Sequence, residues 1–349
     1  AFLPAARGGG GAFALDGDRR IGYTWAIKYK ILYFGELVVG INKLLTKNGY
    51  AITQIALELL SVPEHSYIPR IADFAECLKI GRGTVENALR YLEEQNAIRL
   101  ENRGHLGTFL LYADRKKLWN LTGHTNILGS MPLPYIKHFE GLASALYEAM
   151  EESDIPFNIA YVRGSVTRFK GLLENRYDFA VCSRFAAERK LPAFPDLTIA
   201  LRFGDFSYVG DHVILYRNGL DLGKLNQVRL KVGTYPNSFD HESLTKKAFA
   251  GKDIELVVLP TTQVIEKLSR QEIDATVWNL NEFREPIVHF QVEELHFDDV
   301  DEQSSFREAV IVVRKDNTPV LNVLKDVIKV DQIRHNQSLV MNGRKLPRY

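Results

Sequence analysis

At 349 residues, 46% of them apolar and 25% charged, the chain is long enough for about two globular domains, each with its own core. A formal net charge of +1 excludes a uniformly basic nucleic-acid binder, so any basic surface has to be local. No apolar run approaches the roughly 18 residues of a membrane-spanning helix. Both cysteines, Cys77 and Cys182, sit among apolar neighbours as buried thiols would, which favours a reducing, cytoplasmic setting.

Residues 1–40 are expected to be a leader, partly disordered or not native to the fold. They hold the Gly8–Gly11 run and little periodicity, and the first methionine of the chain is Met131. Arg7 follows the first apolar residues, whereas a signal peptide places its basic residues before them.

From residue 41 to 114 the elements are short. Ala51–Leu60 sets Ile52, Ile55, Ala56 and Leu59 on one helical stripe, which Val62-Pro63 ends. A second helix after Pro69 buries Ile71, Phe74, Ala75 and Leu78, and Lys79-Ile80-Gly81-Arg82-Gly83 forms a turn. A third runs from Thr84 to about Gln95 with Val85, Ala88, Leu89 and Leu92 on one face. Ala97–Glu101 and Thr108–Tyr112 then read as a hairpin whose loop, Asn102–Gly107, carries the required glycines.

Such an order predicts a winged helix-turn-helix, which offers its last helix to the major groove of double-stranded DNA. Arg82, Thr84, Asn87 and Arg90 lie along that helix, and Arg and Asn are the types that contact guanine and adenine bidentately. Arg70 and Lys79 bracket the preceding helix, and Arg103 and His105 lie at the wing tip, where phosphates are met. Ser66–Tyr112 holds six basic and six acidic residues, so the placement of Arg82 and Arg103 carries the DNA reading, not the charge balance. A winged helix serving protein contacts is the alternative.

A linker is expected around Lys116–Thr122. Beyond it, residues 121–349 alternate strands and helices, the signature of a mostly parallel α/β fold. Asn158–Ser183 aligns with Ile254–Asn279 without a gap: Tyr161-Val162 with Val257-Val258, Ser165 with Thr261, Leu172 with Leu268, and Asp178–Val181 with Asp274–Val277. Two copies of one βαβ pattern predict two similar lobes.

The run from Ile68 to Leu110, with Arg82-Gly83-Thr84-Val85, Ala88-Leu89-Arg90-Tyr91-Leu92-Glu93 and Gly107-Thr108-Phe109, resembles the GntR-type winged helix. That resemblance gives Arg82 the turn arginine that touches phosphate and makes Arg103–Gly107 the wing. Ala72 and Glu86 stand where the family usually has basic residues, with Arg70 as a substitute for the first. The resemblance extends to the YhfZ-like regulators through Met131–Tyr135, Phe139–Ala143, Arg163-Gly164, Asp178–Ala187 and Asp274–Asn279. It implies an α/β architecture in which an N-terminal winged helix-turn-helix (residues 41–114) precedes a two-lobed, periplasmic-binding-protein-like (type 2) effector domain (residues 121–349).

In a two-lobed α/β domain, ligands sit where strand C-termini and helix N-termini converge. Helix starts favour anions. The candidates are Ser130, Arg163, Gly164, Ser165, Ser183 and Arg184 in one lobe, and Thr234, Tyr235, Ser238, Thr261, Thr262 and Asn279 in the other. Helix capping is the alternative for each hydroxyl. Glu140, one turn into the first helix, is a candidate for reading an amine. No metal-ligand spacing, nucleophile elbow or phosphate loop is found, so no catalytic residue, metal or cofactor is expected. The sequence thus reads as a cytoplasmic, homodimeric regulator of transcription that binds operator DNA and a small, anionic effector without contacting a membrane. An enzyme on the two-lobed fold is the alternative.

Overall fold

In the computed structural model, which describes residues 46–123, 126–235, 238–280 and 289–349, the chain divides into two units between Gly123 and His124. The expected leader lies outside the described residues.

The first unit opens with α1 (Lys47–Leu59), whose first turn is capped by Thr46 accepting from the Gly49 N–H at 3.1 Å. Strand β1 (Ser66–Tyr67) follows, then α2 (Ile71–Leu78), which Lys79 ends in the left-handed region at φ 54°. The next helix, α3 (Arg82–Glu94), starts from an extended Gly81. The turn is therefore Lys79–Gly81, shorter than the sequence suggests, and Arg82 is helical. Strands β2 (Ile98–Asn102) and β3 (Thr108–Ala113) form the hairpin, and β1 joins it in a three-stranded antiparallel sheet of order β1-β3-β2. The segment expected as a linker is instead α4 (Arg115–Leu121), capped by Asp114 and holding buried Leu118 and Trp119. Those two side chains give it the apolar burial that its lysines conceal. Arg115 ties it to α1 by donating to the Leu60 carbonyl at 2.8 Å.

The second unit begins with β4 (Ile127–Met131), α5 (Lys137–Glu152), β5 (Phe157–Tyr161), α6 (Ser165–Leu173), β6 (Phe179–Ser183), α7 (Arg184–Lys190) and β7 (Leu197–Arg202). The chain then crosses to a second sheet through β8 (His212–Arg217), β9 (Leu230–Thr234), α8 (Phe239–Ala248), β10 (Ile254–Val258), α9 (Thr261–Ser269), β11 (Ala275–Asn279) and β12 (Phe290–Glu294). After α10 (Val300–Arg307) it returns as β13 (Ala309–Arg314), α11 (Thr318–Val327) and α12 (Val330–Met341).

The result is two five-stranded sheets, β5-β4-β6-β13-β7 and β10-β9-β11-β8-β12, one per lobe. In each, four strands run in one direction and one, β13 or β8, runs against them because it enters at a crossing between lobes. The sheets are thus mixed, with one reversed strand in an otherwise aligned set, close to the mostly parallel pattern expected. The repeat is structural: α6 and α9, and then β6 and β11, begin and end at the residues the alignment pairs. Its aspartates do the same work in both lobes. Asp178 accepts from the Leu128 N–H at 2.9 Å and Asp274 from the Lys231 N–H at 2.8 Å, each latching the third strand to the start of the central one. Cys182 lies in the fully buried β6, whereas Cys77 is only half-buried. Among the described residues no helix is long and apolar enough to cross a membrane.

Replacing Asp178 by alanine leaves the Leu128 N–H without its side-chain acceptor. The expected loss is about 1–2 kcal/mol of stability, read as a lower urea midpoint with an unchanged slope.

Candidate functional site

A cavity of about 340 Å³ opens between the two lobes of the second unit. Its walls are the loops at the C-terminal ends of the parallel strands and the helix starts that follow them, as open α/β sheets dictate. From the first lobe come Pro132, Leu133 and Tyr135 after β4, Phe139 on α5, and Arg163–Ser165 with Arg168 at the start of α6. From the second come Tyr235 after β9, Ser238–Asp240 at the start of α8, Thr261 and Thr262 at the start of α9, and Trp278 on β11. Tyr208, on the crossing segment, closes the floor. Its ring stands 5.0 Å from that of Phe139, which meets Tyr135 edge-on at 5.9 Å.

Seven of the sequence candidates line this cavity: Arg163, Gly164, Ser165, Tyr235, Ser238, Thr261 and Thr262. The matched helix starts bearing Ser165 and Thr261 thus serve one cavity. Asn279 lines a smaller annex of about 50 Å³ beside it, with His212 and His241. The remaining four are engaged elsewhere. Ser130 is fully buried in its sheet and donates to the Phe179 carbonyl at 3.3 Å. Ser183 caps α7, accepting from the Ala186 N–H at 3.0 Å. Thr234 sits 3.2 Å from His241 Nδ1, whose Nε2 lies 3.1 Å from the Val277 carbonyl. A carbonyl can only accept, so Nε2 carries the proton and the Thr234 hydroxyl donates to Nδ1.

Arg184 is the clearest departure. Only 3% exposed, it gives Nε to Glu308 Oε2 at 2.6 Å and Nη2 to Asp301 Oδ1 at 2.7 Å. Arg202 grips the same Glu308 through Nη2 at 2.7 Å and Nε at 2.9 Å. Burial opposes charge on Glu308, yet the guanidiniums of Arg202 and Arg184 hold its carboxyl below the usual range. Arg307 next to it binds Asp205 and Asp211, with Nη1 at 2.7 Å from Asp211 Oδ1. These residues clamp the two chain crossings together, which explains why Arg184, read from sequence as ligand-facing, is not in the cavity.

Sequence reasoning passed over Arg168 and Asp240, the charged groups deepest in the cavity. Arg168 had a signal: it sits between Ser165 and Phe169 on the buried face of an amphipathic helix, where arginine has no packing reason to be. Burial drives the Asp240 carboxyl up to about 6, against the downward pull of the Ser183 hydroxyl and the Arg168 guanidinium. Its neighbours His212 and His241 are pushed down to about 4 by burial, so both are neutral where Asp240 titrates. Glu140 does not line the cavity.

In the first unit, Val85, Ala88, Leu89 and Leu92 bury one face of α3. Asn87 and Arg90 stand on the opposite, exposed face, with exposed Arg82 and half-buried Thr84 flanking it. Arg70 and Lys79 are exposed at the two ends of α2. At the hairpin tip His105 is exposed, while Arg103 pairs with Glu101 and lies 4.5 Å over the Phe109 ring.

Comparison with known proteins gives a consistent result. The YhfZ C-terminal domain matches residues 114–349 and a helix-turn-helix domain matches residues 66–110. The uncharacterized protein YhfZ of Escherichia coli K12 is 32% identical over 303 residues, 87% of this chain and 98% of that protein. The crystal structure of YhfZ from Shigella flexneri, also 32% identical, superposes with a TM-score of 0.57 over 68% of this chain and 98% of that one. The C-terminal match starts at 114, whereas the contact boundary lies after Gly123, because α4 packs on the first unit.

Two outcomes are expected. Because the folded Asp240 holds its proton to higher pH than the unfolded chain, its contribution to stability falls as pH rises from about 4 to 6. Asp240→Asn removes that slope. It should match wild type near pH 4 and exceed it by about 2 kcal/mol at pH 7.5, read from denaturant midpoints across pH. Arg184→Met strips Glu308 of one buried partner and should cost about 3 kcal/mol of stability in ligand-free protein. A variant as stable as wild type would mean that the clamp does not depend on Arg184.

Proposed function

Because the chain belongs to the YhfZ family, we propose that it is a ligand-responsive transcriptional regulator, with a GntR-type winged helix for operator DNA and an interlobe site for a small, anionic metabolite. One observation carries this reading: a single chain joins a helix-turn-helix with exposed Arg82, Asn87 and Arg90 to a two-lobed domain with a lined internal cavity. The hairpin after α3 supports the GntR-type assignment. An anion is favoured by Arg163, Arg168 and the start of α6, where no side chain caps the first N–H groups.

DNA recognition by this module calls for a dimer, since two recognition helices about 34 Å apart read a two-fold operator that one helix reads too weakly. A cytoplasmic location follows from that task. Ligand acts on DNA affinity only through its differential affinity for two forms of the protein.

The reading is tested on an operator recovered by selecting bound genomic fragments, with affinity followed by fluorescence anisotropy. Arg82→Ala and Arg90→Ala should each weaken binding by about 1–3 kcal/mol. Arg103→Ala should cost less, because Glu101 already engages that guanidinium. Full affinity in both helix variants at low salt would remove α3 from the DNA interface.

A further inference from the structure

The two walls of the cavity carry opposite charge. On the first, Arg168 is 2% exposed; its Nη1 donates to the Val162 carbonyl at 2.7 Å, and its Nε has no partner among the described residues. Beside it α6 starts at Gly164, whose φ of 81° suits glycine and whose lack of a side chain leaves the first turn uncapped. On the second wall, Asp240 keeps Oδ1 buried and likewise unpartnered. The two groups feel each other's charge, yet neither satisfies the other's free atom.

A buried donor and a buried acceptor without partners, on two residues that line one cavity, are costly, and a molecule that answers both relieves that cost. A simple dianion would pair with Arg168 but meet Asp240 as a like charge. A neutral molecule would leave each ion with only the other's charge across the cavity. Between the charged walls stand Phe139, Tyr208 and Trp278, all largely buried, which suit an apolar or flat body.

We infer that the cavity takes a zwitterion of amino-acid type, with its acidic group on Arg168 and the α6 start, its protonated amine on Asp240, and its apolar body against Tyr208 and Trp278. This inference rests on the sensor reading above and narrows the ligand from an anion to a molecule of both charges. It also moves the recognition of an amine from Glu140 to Asp240.

The test is calorimetric titration of the full chain with three matched series: the common L-amino acids, the same acids without the amine, and the same amines without the carboxylate. At least one amino acid should bind, with each of its truncated relatives about 10- to 100-fold weaker. In Asp240→Asn the amino acid and its deamino relative should bind within a few-fold of one another, because the discriminating charge is gone. Arg168→Gln should do the same for the amino acid and its amine. Circular dichroism checks that both variants fold, and wild type with Asp240→Asn decides the matter alone should Arg168→Gln not fold. Preferred binding of the deamino acids, or discrimination unchanged in Asp240→Asn, overturns the inference while leaving the cleft a sensor site. If no series binds, the inference falls. DNA affinity measured with and without a small-molecule extract of the host then decides separately on the sensor reading.

Discussion

The second domain depends on a clamp of buried charge at the point where the chain passes twice between its lobes. Arg307 and Glu308, adjacent in sequence, face opposite partners: Asp205 and Asp211 for the cation, Arg202 and Arg184 for the anion. Each partner lies on or next to the outgoing crossing or on the helix beneath it, so the returning crossing is locked to the outgoing one. Buried ion pairs of this kind add little over an apolar packing of equal volume, but they tolerate almost no change of register. The C-terminal helix α12 reinforces the point. Arg334 donates to the Phe203 and Asp205 carbonyls, and Gln337 to those of His138 and Ser207. Gly141 lets that helix approach, since a β-carbon there would stand 2.8 Å from the Gln337 carbonyl oxygen.

From this fixed point the cavity follows. Tyr208 lies within the outgoing crossing, between Ser207, which donates to the Gly204 carbonyl, and the return of the chain into β8. Its backbone N–H donates to the Arg307 carbonyl at 2.7 Å. A ring in the cavity floor and a clamp of charge beneath it are therefore joined by one peptide group. Whatever presses on the ring is felt at the crossing.

The elements most legible in the sequence were those set by local pattern. The βαβ repeat is legible as one order of strand, turn, helix and strand in both lobes, because the same aspartate, turn and apolar spacing recur. The helix-turn-helix was readable for the same reason, although Lys79 in the left-handed region shortened the turn beyond what glycine counting suggests. What remained hidden depends on contacts distant in sequence. Arg184 and Ser183 sit at a strand C-terminus, where ligand residues belong, but partners more than a hundred residues away engage Arg184. Asp240, in the first turn of α8, looks like any acid favoured by a helix dipole. Only the closure of one lobe on the other reveals that it has been taken out of water. Trp119 misled differently, because a short helix with two lysines resembles a tether until its apolar side is seen to be buried.

Phe239 and Asp240 are consecutive residues in the first turn of α8, and both line the cavity. Phe239 also stacks 5.5 Å from Phe185 of the other lobe, which in turn lies 3.8 Å from Phe306. Ligand and interlobe stack thus share one turn of helix as a common lever. By linkage, a ligand that strengthens the stack binds tighter by the same factor when the stack is strengthened, and one that weakens the stack binds correspondingly weaker. The aromatic column is in this sense a second, internal ligand of the domain, always present and competing or cooperating with the one in the cavity. A change in its packing therefore changes the affinity of whatever the cavity takes.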